Sequence, residues 1–131
     1  MEQTMINEPA ILIRINRTFK PVMDADTLFD YTRGKWRIKT EIAQKAKYAF
    51  SIYKGIVLEV YEIKRWHVAG TTKSSRKPND NPELKSTKDS TGRYEFTGSL
   101  ASDELREKYK GKSVKHYFVR GNSNPVNYIN I

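Results

Sequence analysis

Residues 33–39 combine positive charge with an aromatic ring. This basic segment holds four cations and one indole, namely Arg33, Lys35, Arg37, Lys39 and Trp36. Guanidinium and ammonium groups bind phosphate oxygens, and an indole offers a plane on which a nucleic-acid base can stack. The spacing therefore predicts phosphate and base binding. The competing structural role places Trp36 in the core and leaves its charged neighbours in solvent.

A second aromatic group lies at the end of a long predicted strand, where Tyr61 and Trp66 accompany Lys64 and Arg65. Rings at a strand end can enclose a flipped or modified base. The structural alternative is that Tyr61 belongs to the core and that Trp66 closes the end of a barrel. We therefore treat both rings as candidate base contacts.

Lys112 lies in a lysine-rich stretch near the carboxyl end and is a candidate phosphate contact. The run Gly111-Lys112-Ser113 resembles the end of the phosphate-binding loop found in proteins that bind nucleoside triphosphates. However, the upstream glycine of that motif is missing, and the run follows a predicted helix instead of opening one. The sequence therefore does not predict nucleotide-triphosphate binding.

Two alternatives to simple nucleic-acid binding remain open. Glu62 and Lys64 are two residues apart on a predicted strand, so they share a face and could serve one metal-bound water in a metal-dependent nuclease. Such a site needs a further acid, and the upstream candidate Asp30 falls on a predicted helix. The other alternative is an interaction module that binds an acidic protein partner through its positive charge.

The chain as a whole is basic and lacks cysteine. Its 131 residues carry 24 Lys and Arg against 15 Asp and Glu, a formal charge of +9 that is spread along the sequence. An excess of positive charge that is spread along the chain predicts a basic face on the folded domain, and such a face attracts phosphate polyanions. The absence of Cys excludes disulfides, thiolate nucleophiles and Cys-ligated metals. We predict no cofactor, no metal and no catalytic residue.

Propensity and turn signals predict the elements that would position these residues. The hairpin is the clearest, because Lys54-Gly55 is a two-residue turn between apolar runs. Strict alternation along its second strand places Ile56, Leu58 and Val60 on one face and Val57, Tyr61 and Ile63 on the other. The predicted strands are 10–15, 48–53, 56–66, 94–98, 114–118 and 126–131. The predicted helices are 24–31, capped by Asp24 and ended by Gly34, and 103–110, capped by Ser102, with one helical turn within 42–47.

These elements predict an α+β fold, a small and mostly antiparallel twisted sheet or β-barrel with two or three short peripheral helices. The length fits a single domain, residues 1–131. From about 67 to 92 the apolar pattern stops and polar residues with Pro and Asn predict a long flexible loop.

The hairpin plan at 48–66, with its Lys54-Gly55 turn and a long strand ending in Trp66, resembles the central hairpin of the PUA-like group of PUA, ASCH and EVE domains. The terminal run 128–131 is similar to their closing strand. The resemblance implies a PUA-like β-barrel that binds DNA or RNA, sometimes with one base in an aromatic pocket. Stretches at 33–36, 59–66 and 109–114 also resemble a recurring type of small bacterial protein, a likeness that implies no activity.

We therefore predict a non-catalytic nucleic-acid-binding domain, with the hypothesis that a single, modified base is held in an aromatic pocket. The candidate binding residues are Arg33, Lys35, Trp36, Arg37, Lys39, Tyr61, Trp66 and Lys112. No secretory signal pattern and no apolar run of membrane-spanning length is found, so we expect a cytoplasmic protein without a membrane partner.

Overall fold

A computed structural model describes residues 3–15, 24–71, 92–118 and 124–131. Across these ranges the strands are β1 (Ala10–Arg14), β2 (Tyr48–Tyr53), β3 (Ile56–Val68), β4 (Tyr94–Leu100) and β5 (Val126–Ile129). The α-helices are α1 (Ala25–Arg33), α2 (Thr40–Ala43) and α3 (Asp103–Tyr109), and one 3-10 turn spans Lys115–Tyr117. None of the helices in the described ranges is long and apolar enough to cross a membrane.

The five strands form one open mixed sheet in the order β4-β3-β2-β1-β5. β1 pairs with β2 in parallel, and the other three pairings are antiparallel. The α+β class and the mostly antiparallel pairing are thus confirmed. In the described part of the chain β4 and β5 stand at opposite edges, so the sheet does not close into the barrel that was the alternative expectation.

The predicted hairpin is confirmed as β2 and β3. Lys54 and Gly55 both have positive φ, 50° and 78°, which is the geometry of a two-residue turn that matches the strand twist. A bulge opposite the Ser51–Ile52 step leaves Leu58 without a partner on β2. Strict alternation is therefore wrong for β3, because the bulge puts Val57 and Val60 into the same core cluster.

The sheet is covered on both faces. Beneath α1, the α1-side core contains Ile11, Ile13, Ala49, Tyr61 and Phe96. Beneath α3, the α3-side core contains Leu12, Phe50, Val60, Tyr109 and Val114. Alternate residues of β1 enter the two cores, which is why this strand is apolar throughout.

Local capping signals were read correctly at two helix starts. The side chain of Asp24 accepts a hydrogen bond from the Thr27 N–H, and that of Ser102 accepts one from the Leu105 N–H. Gly34 does follow α1, but its φ of −177° is extended. It serves close packing, because a Cβ there would lie 2.6 Å from Cβ of Glu95.

Two expectations need correction. The strand predicted at 114–118 is instead a 3-10 turn, because Tyr117 and Phe118 satisfy their N–H groups locally on Val114 and Lys115. The loop predicted from residue 67 begins later, since β3 continues to Val68. The greater part of that predicted loop, residues 72–91, lies outside the described residues.

Candidate nucleic-acid interface

The basic segment meets the outer edge of β4 at Trp36 and then crosses the α1-side face of the sheet toward β5. Trp36 and Tyr94 exchange two backbone hydrogen bonds, with N–O distances of 2.9 and 2.8 Å. The close approach at Gly34 brings the segment against Glu95 just before this bridge. The segment is therefore held against β4 by backbone contacts on either side of Lys35.

Within the segment, apolar and cationic side chains point in different directions. Trp36 and Ile38 are half-buried and pack on the α1-side core. Arg37 and Lys39 are exposed and Lys35 is half-exposed. The Lys39 N–H donates to the Tyr128 hydroxyl at 2.8 Å, which ties the end of the segment to β5. The cations are thus displayed on a surface whose underside is apolar.

Arg33 is turned into the protein. Its side chain is 6% exposed and lies 3.6 Å from Asp30 and 3.4 Å from Glu95. Its Nε donates to the Phe96 carbonyl at 3.0 Å. Glu95 also accepts a hydrogen bond from the Gly70 N–H at 2.8 Å. This candidate phosphate contact therefore belongs to a buried ion network that joins α1, β4 and the end of β3.

The two indoles make the same kind of hydrogen bond. Nε1 of Trp36 donates to the Thr32 carbonyl at 2.7 Å, and Nε1 of Trp66 donates to the Ala43 carbonyl at 3.2 Å. Both acceptors lie in the last turn of a helix, α1 and α2 respectively, and the Ala43 carbonyl also accepts from the Ala46 N–H at 3.0 Å. Both indole N–H groups are therefore engaged in closing helix ends.

Tyr61 lies inside the α1-side core with 2% of its surface exposed. Its ring packs 5.0 Å from that of Phe29 and 6.5 Å from that of Phe96. Burial raises the pKa of its hydroxyl well above the usual value, and the negative charge of Glu59 adds to the rise. Stacking of a base on Tyr61 would require this core to open.

The structure thus brings the three aromatic candidates into one cluster but gives them unequal access to solvent. Trp36 and Trp66 are half-buried against the α1-side core, in which Tyr61 is enclosed. The Trp66 ring meets Phe96 edge-on with centroids 5.3 Å apart.

Two neighbours of the basic segment were missed by sequence reasoning. Arg93 donates from Nη1 to the Lys35 carbonyl at 3.3 Å, and Tyr94 forms the backbone bridge to Trp36. Both are half-buried. A cation next to an aromatic residue at the start of a strand was a visible signal, but its pairing with a segment nearly sixty residues earlier was not.

Lys112 lies away from the other candidates. Its carbonyl accepts from the Val57 N–H at 3.0 Å, near the start of β3. The bridge at Tyr94 is opposite Val68, eleven residues farther along the same strand. At about 3.3 Å per residue the two positions are on the order of 35 Å apart.

The residues considered for a nuclease do not gather into a metal site. Lys64 is the unpaired residue of a second bulge in β3, and Asp30 is buried beside Arg33. Over the ranges that the structure describes, no three His, Asp or Glu side chains are grouped so that they could hold a metal ion.

Comparison with protein-family models, with curated proteins and with solved structures finds no match to this chain.

Proposed function

We propose that this chain is a non-catalytic nucleic-acid-binding domain in which Lys35, Arg37 and Lys39 bind backbone phosphates. The observation that carries the proposal is the alternation in the basic segment, where Trp36 and Ile38 pack inward and Arg37 and Lys39 face solvent. Because the backbone beneath these cations is already held in place, phosphate binding has to order only their side chains.

The distribution of charge between interior and surface also supports the proposal. Among the described residues Asp30, Glu59 and Glu95 are buried together with one cation, Arg33. These four groups contribute −2, so with a total of +9 the rest of the chain carries +11. A polyanion approaching the surface therefore meets more bases than acids at close range, in addition to the net positive field.

The finer hypothesis of a base held by aromatic rings rests on Trp36 and Trp66, because these two rings are half-buried whereas Tyr61 is enclosed. The PUA-like relationship is likewise part of the proposal, supported by the β2–β3 hairpin and its two-residue turn. In that relationship the partner would be DNA or RNA.

The direct test is fluorescence anisotropy with labelled single-stranded and duplex DNA and RNA, titrated at several salt concentrations. The double variant Arg37→Gln/Lys39→Gln should bind more weakly. It should also reduce the slope of log affinity against log salt by about two, roughly one per lost phosphate contact. Lys47→Gln with Lys108→Gln is the matched control. Both are exposed lysines. Their ammonium groups lie over Tyr48 and Tyr109, whose rings pack on the α3-side core, whereas the basic segment packs on the α1-side core.

A second experiment separates the contribution of the Trp36 ring to binding from that of its indole hydrogen bond. Trp36→Phe keeps an aromatic ring but removes the indole N–H that reaches Thr32. If a base stacks on this ring, affinity should be retained within a fewfold in Trp36→Phe and lost in Trp36→Leu, with both variants checked for folding by circular dichroism. Absence of binding to every nucleic acid at low salt would refute the proposed function.

A further inference from the structure

A second group of cations gathers at the β2–β3 turn. We call Lys54, Lys112 and Lys115 the hairpin cluster. The Val114 N–H donates to the Gly55 carbonyl at 2.8 Å, and a side chain at Gly55 would collide with the stem of Lys115. These contacts bring Lys115 against the turn that carries Lys54. Neither 52–56 nor 111–118 contains an acidic residue.

The hairpin cluster and the basic segment share one edge of the sheet. Val57 uses both its N–H and its carbonyl to pair with residues 111–112, on the side of β3 that faces away from β2. β4 pairs with that same side of β3 from Tyr61 onward. The basic segment is bound outside β4 at Tyr94. The hairpin cluster and residues 35–37 of the basic segment therefore border the β4 edge, one near each end of β3, whereas Lys39 lies farther across the sheet, next to Tyr128.

The spacing of the two groups matches a repeat of the polyanion. Lys112 is anchored at Val57 and Lys115 at Gly55, and these positions are on the order of 35 and 43 Å from Val68 along the hairpin. One turn of a B-form duplex spans about 34–36 Å, or roughly ten base pairs. Between them α3 begins with Asp103 and Glu104, both exposed. A duplex along this edge would therefore be held at its two contact points and not in the middle.

We propose that the hairpin cluster is a second phosphate-binding surface, and that it binds the same nucleic-acid duplex as the basic segment, about one helical turn away. This inference rests on the proposed function, since it extends the same site to a longer ligand. The lysines of the hairpin cluster contact the phosphate backbone of the nucleic acid and no base edges. Binding at this surface is therefore independent of the nucleic-acid sequence.

The experiment compares a hairpin stem of about 6 base pairs with a duplex of about 14, the second being long enough to span both groups. The short stem reaches one group at a time, whereas the long duplex reaches both. In Lys54→Gln/Lys115→Gln the salt slope for the long duplex should fall by about two, while that for the short stem changes little. The matched control is Lys45→Gln/Lys47→Gln, exposed lysines on the β2 side of β3.

Different results would refute the proposed function and the second surface. If neither duplex binds the wild-type chain and a single-stranded 14-mer does not bind either, the proposed function is refuted. If both bind but the long-duplex slope is equal in wild type and Lys54→Gln/Lys115→Gln, only the second surface is refuted. A single-stranded 14-mer that shows the same loss would assign the cluster to flexible strands and overturn the duplex geometry.

Discussion

Two arginine–carboxylate clusters occupy different depths of the molecule. In the sealed cluster Arg33 meets Glu95 at 3.4 Å and Asp30 at 3.6 Å, and the Arg33 side chain is 6% exposed. In the open cluster Arg106 donates to both oxygens of Glu59 at 2.8 and 3.0 Å, and its side chain is 26% exposed. The open cluster has the better hydrogen-bond geometry and the sealed one the greater burial.

The difference shows that burial, more than geometry, sets how much each pair matters. A charge that water can reach is resolvated when its partner is lost, whereas a sealed charge is left uncompensated. The sealed cluster also joins α1 to β4, immediately before the basic segment. The open cluster attaches α3 to β3. Substitutions in the sealed cluster should therefore have the larger effects.

The largest effect is expected from Arg33→Met, which leaves Asp30 and Glu95 buried without their guanidinium. The free energy of unfolding should fall by about 3–5 kcal/mol in urea denaturation at neutral pH. Arg106→Met is the matched comparison and should cost clearly less, because Lys110 still pairs with Glu59 when Arg106 is lost. Equal losses would contradict the role given to burial.

Gly34→Ala tests the packing of the sealed cluster without touching a charge. The new Cβ would lie 2.6 Å from Cβ of Glu95 and 3.2 Å from its Cα, so β4 or the segment must shift. Overpacking of this kind costs about 1–3 kcal/mol of unfolding free energy, and thermal or urea unfolding will measure it. An unchanged stability would mean that Glu95 is free to move.

Glu59→Gln tests the open cluster through its pH dependence. Burial by itself raises the pKa of Glu59, but hydrogen bonds from Arg106, the Val60 N–H and Lys110 outweigh it and hold the pKa below its ordinary value of 4.5. The charged carboxylate therefore stabilises the fold above that value, and the contribution is lost as pH falls through the lowered pKa.

Near pH 7 the wild type should exceed Glu59→Gln by about 1–2 kcal/mol of unfolding free energy. The gap should close on acidification below pH 4.5. Urea denaturation at several pH values measures both, with Glu62→Gln, exposed on the same strand, as the control. A gap that is independent of pH would exclude the charge as its cause.

The smallest effect is expected from Lys110→Gln. The ammonium of Lys110 lies 3.2 Å from Glu59, but the side chain is 41% exposed and solvent screens the pair. The loss of unfolding free energy should stay below about 1 kcal/mol and disappear at high salt. A larger loss that persists at high salt would show that the Lys110–Glu59 pair behaves like the buried pairs of the sealed cluster.

Elements defined by their own residues were predicted well. The hairpin followed from Lys54-Gly55, and the helix starts followed from Asp24 and Ser102, because turns and caps are satisfied within a few residues. Predictions failed where distant partners decide. The bulge at Leu58 broke strand alternation, and residues 114–118 formed a 3-10 turn against the start of β3.

In the candidate site, too, local features were predictable from the sequence and features set by distant partners were not. The charge and spacing of the basic segment were readable, but the inward turn of Arg33 depends on Glu95, 62 residues away. The enclosure of Tyr61 depends on Phe29 and Phe96, which come from α1 and β4. The separation of Lys112 from the segment follows from the length of β3, which continued past its predicted end.

Taken by themselves, the residues determined a basic chain without cysteine, an antiparallel hairpin, capped helices and a cluster of cations around Trp36. Composition and local hydrogen bonding suffice for these, since each involves near neighbours. Which cations face solvent and which rings are enclosed were decided by strand order and by the packing of α1 on the sheet. Strand order depends on burying apolar surface between segments far apart in the chain, and no local pattern encodes it.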